Sequence, residues 1–205
     1  MHHILSLFMF VALLPNSSAT EDSNAVAQGS AAANSRVHRL VSAALEQTRV
    51  TIYYDPSYRR IPYPGGDVPL DRGVCTDVVV RAFRKIGIDL QKEIHEDMQR
   101  NKVSYPKLWG LSKLDSNIDH RRVPNQMTYF RRHCDVRSNS IRNGDYLPGD
   151  VVAWRLTSGL LHIGIVTDTQ SSSSGSRLVV HNIGAGAKLE DVLFAWTVIG
   201  HYRCM

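Results

Sequence analysis

Nowhere does this chain hold the roughly 20 consecutive apolar residues that a bilayer-spanning helix needs. The run from Ile4 to Leu14 is too short and stops at Pro15. Runs of Lys or Arg are also lacking, as is any aromatic ladder between basic residues, although the net charge is +5. A dedicated nucleic-acid surface is therefore not expected. The metalloprotease pattern that His95-Glu96 begins is missing its second histidine, because position 99 is Gln. No internal repeat is found. Cysteine is scarce, with three in 205 residues. An odd number leaves one thiol without an intramolecular partner. A Cys134–Cys204 bridge would tie down the C-terminus and leave Cys75 free.

What is present at the N-terminus is an export pattern. The Ile4 to Leu14 run is followed by Ser17-Ser18-Ala19, a small-residue stretch of the kind cut by signal peptidase, although only His2, His3 and the amino terminus precede the run. Residues 1–19 read as a signal peptide, 20–34 as a flexible polar linker and 35–205 as one domain, which places the mature protein in the periplasm or outside the cell. Stable membrane insertion is not expected. A mild basic excess suits a protein that meets anionic cell-wall polymer, and equally an ordinary soluble surface.

Within the domain, Ser35 is the expected cap of a first helix carrying Val37, Leu40, Val41, Ala44 and Leu45 at helical spacing. A Pro-, Gly- and Tyr-rich loop runs from Asp55 to Pro69. The segment Gly73-Val74-Cys75-Thr76-Asp77 then opens a helix that buries Val78, Val79, Ala82, Phe83 and Ile86 and ends at Gly87. Further helices are expected over Glu93 to Asn101 and, capped by Asn125, through Met127, Phe130 and His133. Tyr105 to Asn125 reads as irregular. From Pro148 onward the pattern changes to strands over Val151 to Leu156, Leu160 to Asp168, Arg177 to Ile183 and Val192 to Tyr202. Helices first and an antiparallel sheet afterwards make an α+β fold.

This layout puts a cysteine at a helix start, where unpaired N–H groups favour a thiolate, ahead of two strand histidines, His162 and His181. Nucleophile, base and an orienting polar group are the parts of a Cys/His hydrolase. Asn182 competes with His181 for the orienting role, because adjacent strand residues face opposite ways and only one can serve. Asp119, His120, Arg121 and Arg122 either bind a substrate carboxylate or form a network that holds a long loop.

Tyr63-Pro64-Gly65-Gly66, Cys75-Thr76-Asp77, Pro148-Gly149-Asp150-Val151-Val152 and His162-Ile163-Gly164-Ile165-Val166 resemble successive motifs of NlpC/P60 cysteine peptidases. From about Val37 to Arg203 the chain also resembles the DUF1287 family of exported bacterial proteins. That resemblance rests on Gly66-Asp67-Val68-Pro69, Gly73 to Asp77, Asn117 to Asn125 and His181-Asn182-Ile183-Gly184. The NlpC/P60 resemblance implies a papain-like fold acting on amide bonds of peptidoglycan stem peptides. It makes Cys75 the nucleophile, His162 the base, His181 its orienting partner and Tyr63 a holder of the oxyanion, with no metal or other cofactor. The usual Cys-Ser-Gly is Cys-Thr-Asp here, so Asp77 is expected to turn away from the thiol or to pair with an arginine. Wall remodelling and delivery as a toxin, with an immunity or regulatory partner, both fit. An acyltransferase or lipid hydrolase and a non-catalytic wall-binding module are the other readings.

Overall fold

The computed structural model describes residues 18–205 apart from 111 and 112, with side chains from residue 28 onward. The expected signal peptide, except for its last two residues, lies outside the described residues. The chain divides after Asn34, and the unit from Ser35 to Met205 holds the features that follow.

Helix α1 spans Ser18–Val50 and buries Leu40, Val41 and Ala44. It begins well before Ser35, in place of the linker and cap expected there. The alanines between positions 25 and 33 are strong helix formers and carry the helix through that polar stretch. Two short parallel strands follow, β1 (Tyr53–Tyr54) and β2 (Arg72–Gly73), with Tyr54 opposite Gly73.

Helix α2 (Cys75–Lys85) starts where Val74 takes an extended conformation and its N–H donates to Asp77 Oδ2 at 2.7 Å. A side-chain acceptor one turn in thus satisfies one of the amides that a helix start leaves free. Its apolar face is fully buried through Val78, Val79 and Ala82, and the chain leaves the helix through Gly87 at φ 84°. Helix α3 (Leu90–Arg100) is capped by Asp89, which accepts from the Gln91 N–H. Helix α4 (Val123–His133) starts earlier than expected, with Pro124 in its first turn, a position that needs no N–H. Asn125 is therefore not its cap. Its amide donates to the Asp119 carbonyl at 2.9 Å.

Six strands form one antiparallel sheet in the order β3-β8-β4-β5-β6-β7. They are β3 (Asp135–Val136), β4 (Val151–Arg155), β5 (Leu161–Gln170), β6 (Arg177–Asn182), β7 (Ala187–Glu190) and β8 (Thr197–Arg203). β7 was not expected. The expected strand from Val192 begins only at Thr197, because Ala195 N–H closes a turn on Val192 O and buried Leu193 accepts from Trp154 Nε1.

Alternation gives the sheet two faces. Val151, Ala153, Ile163, Ile165 and Val180 pack with α2, α3 and α4 in the main core. Val152, Trp154, Val166 and Val179 build a second cluster on the other face with Tyr146 and Leu193. Cys134, at the end of α4, is disulfide-bonded to Cys204 after β8, with Cα atoms 4.5 Å apart. Cys75 is the free cysteine.

Candidate active site

Cys75 is the first residue of α2 and is 7% exposed. Its sulfur lies against the Ile163 amide of β5 and the amides of Cys75 and Thr76. These donors favour a thiolate, but burial outweighs them and, with the Asp77 charge nearby, pushes the thiol up to about 12. The carboxylate of Asp77 is held by the Arg121 guanidinium, with Nε to Oδ1 at 2.8 Å and Nη2 to Oδ2 at 2.9 Å. Both side chains are almost fully buried. Gly73 leaves room for this pair, since a Cβ there would sit 2.9 Å from Asp77 Oδ2.

Arg121 also donates to the carbonyls of Ser57 and Asp55. Its fork is fully engaged in holding the entry to α2, so it is not a substrate ligand as it stands. Tyr54 is the tyrosine of this neighbourhood. Burial first, and then the charges of Cys75 and Asp77, raise its hydroxyl above the usual phenol range, and its side chain remains partly open to solvent. Tyr63 lies elsewhere, edge-on to the His95 ring of α3 at 5.2 Å between centroids. The expected link between Tyr63 and the nucleophile is not assembled, because the Pro-rich loop turns this tyrosine toward α3.

The histidines sit on the other side of the sheet backbone. His162 pairs across strands with Trp154, and its ring lies 5.7 Å from that indole and 5.8 Å from Trp196. His162 Nε2 and His181 Nδ1 are 2.9 Å apart, and His181 Nε2 is 2.9 Å from Glu190 Oε2 on β7. This diagonal contact requires Gly164, whose added Cβ would meet Val180 O at 2.8 Å and His181 Cβ at 3.1 Å. Burial drives the His162 imidazole down to about 3, and the His181 charge adds to the effect. His181 is also lowered by burial, against the opposing pull of Glu190. Both rings are therefore neutral at pH 7.

Asn182 projects from the helix-side face and donates to the carbonyls of Gly73 at 2.9 Å and Tyr53 at 3.4 Å. It ties β6 to the segment entering α2, and His181 is the group that contacts His162. Thus the structure assembles two groups. One is Cys75 with Asp77, Arg121, Tyr54 and Asn182. The other is His162 with His181, Glu190 and Trp196. They meet at the start of β5, where Ile163 N–H reaches the sulfur and the preceding ring leaves the strand on the far side. Among the described residues, no hydrogen bond joins Cys75 to either imidazole.

Asp119, His120 and Arg122 lie apart from both groups. Asp119 accepts from Asp115 N–H at 2.6 Å and from Arg122 Nη1 at 3.1 Å. His120 is 3% exposed and held down to about 4, chiefly by burial. Glu190, Tyr54 and Trp196 escape a reading from sequence. Glu190 ends β7, whose four residues give no clear alternation, and the other two carry no motif.

The family model described as "Domain of unknown function (DUF1287)" matches residues 41–204. A curated relative, "Uncharacterized protein YijF" of Escherichia coli (strain K12), is 54% identical over 164 residues, covering 80% of each chain. Among solved structures, NlpC1 from Trichomonas vaginalis gives a TM-score of 0.45 at 14% identity, over 82% of this chain. The chain spans 43% of the length of that protein. The match over most of the folded unit and the identity to the bacterial relative lead to one assignment: this chain belongs to the DUF1287 family.

Proposed function

We propose that the protein is an exported cysteine hydrolase of papain-like fold that cleaves amide bonds in peptidoglycan stem peptides. The observation that carries this reading is the junction at the start of β5. There the Ile163 amide contacts the Cys75 sulfur, and the adjacent residue begins the chain His162–His181–Glu190. In this reading the nucleophile lies on one side of β5, and the base, the orienting imidazole and the carboxylate run across β5, β6 and β7 on the other.

The reaction starts from a resting state in which the thiol is protonated and His162 is neutral, the correct charge for a base. Because the His162 ring leaves β5 on the face away from Cys75, proton transfer requires the start of β5 to turn until that ring comes within about 3 Å of the sulfur. The thiolate then attacks the amide carbonyl. In this reading the Cys75 and Thr76 amides at the first turn of α2, together with the nearby Tyr54 hydroxyl, hold the oxyanion. His162 returns its proton to the leaving amine, and water clears the thioester. Export agrees with the Cys134–Cys204 bridge, since disulfides persist in oxidising compartments.

One observation favours a second reading, a non-catalytic wall-binding module. Cys75 is buried and its thiol is pushed up to about 12, as in an inert structural cysteine. Incubating the mature protein and Cys75→Ala with purified sacculi separates the two. The hydrolase releases soluble fragments only with Cys75 intact, whereas the module pellets with the wall in both forms and releases nothing.

A further inference from the structure

A cavity of about 240 Å³ lies between α3, the loop after it and the start of α4, apart from Cys75 and the histidine pair. Arg122 forms part of its wall and is highly constrained. Its Nη1 donates to Asp119 Oδ1 at 3.1 Å, and its Cζ lies 4.2 Å from the centre of the Trp109 ring. The Nε and Nη2 edge of the same guanidinium has no hydrogen-bond partner among the described residues. Two parallel N–H donors on one edge are the match for a carboxylate.

Asn125 lines the same cavity and is 1% exposed. Its Nδ2 donates to the Asp119 carbonyl, whereas its Oδ1 is buried with no partner. A buried acceptor left unmet calls for a donor. Lys102, Lys107 and Lys113 add positive charge to the lining, and Asp119, the acid in it, is already held by Asp115 N–H and Arg122. Trp109 and Leu108 supply apolar wall.

We propose that this cavity binds a peptide residue carrying a free carboxylate, which takes the open edge of Arg122, while a peptide N–H of the ligand donates to Asn125 Oδ1. Phosphate satisfies the guanidinium but brings no N–H. The cavity is smaller than the roughly 300–1,000 Å³ typical of drug-sized ligands, so one residue fills it. For stem peptides as the source, the inference rests on the hydrolase reading. The binding itself does not involve Cys75.

Titration calorimetry of the full chain tests this with N-acetylglutamate, its neutral analogue N-acetylglutamine amide, and inorganic phosphate. The acid binds, the neutral analogue binds at least about tenfold more weakly, and phosphate competes poorly. Arg122→Lys weakens the acid by about tenfold, since a point charge replaces the fork. Lys107→Ala, at an exposed position, weakens it less and reduces its salt dependence. Equal binding of acid and neutral analogue overturns the proposal, as does phosphate binding as tightly as the acid, an unaffected Arg122→Lys, or no binding by any probe. Cys75→Ala separates the two readings. Normal binding of the acid by this variant, with no fragment release by the unmodified protein, removes the hydrolase and leaves the pocket. Fragment release without binding does the reverse.

Discussion

Cys75 is acted on in opposite directions by the helix it heads and the core it enters. A helix N-terminus stabilises a negative charge by about 0.3–1 kcal/mol, rising to about 2 when partly buried. Burial raises the thiol from 9.0 to about 12, which corresponds to roughly 4 kcal/mol against the thiolate. Burial wins, and the resting cysteine is a thiol. Iodoacetamide at pH 8 is accordingly expected to label folded Cys75 at least about 100-fold more slowly than the urea-unfolded chain. His162→Ala leaves the folded rate unchanged, because no hydrogen bond links that ring to the sulfur. Rapid labelling that His162→Ala abolishes would mean that an ion pair already exists in the free protein.

The start of α2 shows how one element prepares this residue. Asp77 caps the Val74 N–H and pairs with Arg121, and Arg121 in turn holds the Ser57 and Asp55 carbonyls. Asp77→Asn removes the charge that compensates a buried guanidinium, and is expected to destabilise the fold by about 3–5 kcal/mol in urea titration. A change below about 1 kcal/mol would show that the pair contributes little. Much of this element is legible in the sequence. Apolar spacing from Val78 to Ile86 and Gly87 after it define the helix, and a pairing between Asp77 and an arginine is one of the two outcomes expected from charge beside the thiol. The opposite facing of His181 and Asn182 also follows from alternation. Less legible is where the loops aim their side chains. Tyr63 and Tyr54 both precede α2, and only the pairing of β1 with β2 places Tyr54 opposite Gly73.

For the molecule as a whole, the order of helices and strands is legible because each core face repeats at its own period. β7 and the early start of α4 are less so. A four-residue edge strand carries little pattern, and tertiary contacts set where α4 begins. The Cys134–Cys204 bridge joins residues at a sequence separation of 70, which in the chain-entropy model stabilises the fold by about 4 kcal/mol. Stability also depends on pH through the buried imidazoles. His162 and His120 are held at about 3 and about 4 in the folded protein against an ordinary 6.5. The unfolded chain binds more protons in this range, so their contribution is full above about pH 6.5 and is lost as pH falls toward 4 and then 3. Each extra proton taken up on unfolding steepens the loss by about 1.4 kcal/mol per pH unit. Urea midpoints are expected to fall steadily from pH 7 to pH 4, and His120→Gln and His162→Gln each flatten the slope. A flat profile in the unmodified protein would contradict neutral burial of both rings.

The central claim, that Cys75 makes this fold a hydrolase of the cell wall, is tested most directly by mass spectrometry of material released from sacculi by the mature protein and by Cys75→Ala. The account predicts soluble peptide fragments from the unmodified protein, ending at one repeated amide bond, and none from the variant. Identical release by both proteins would contradict it, as would no release from sacculi to which the unmodified protein demonstrably binds.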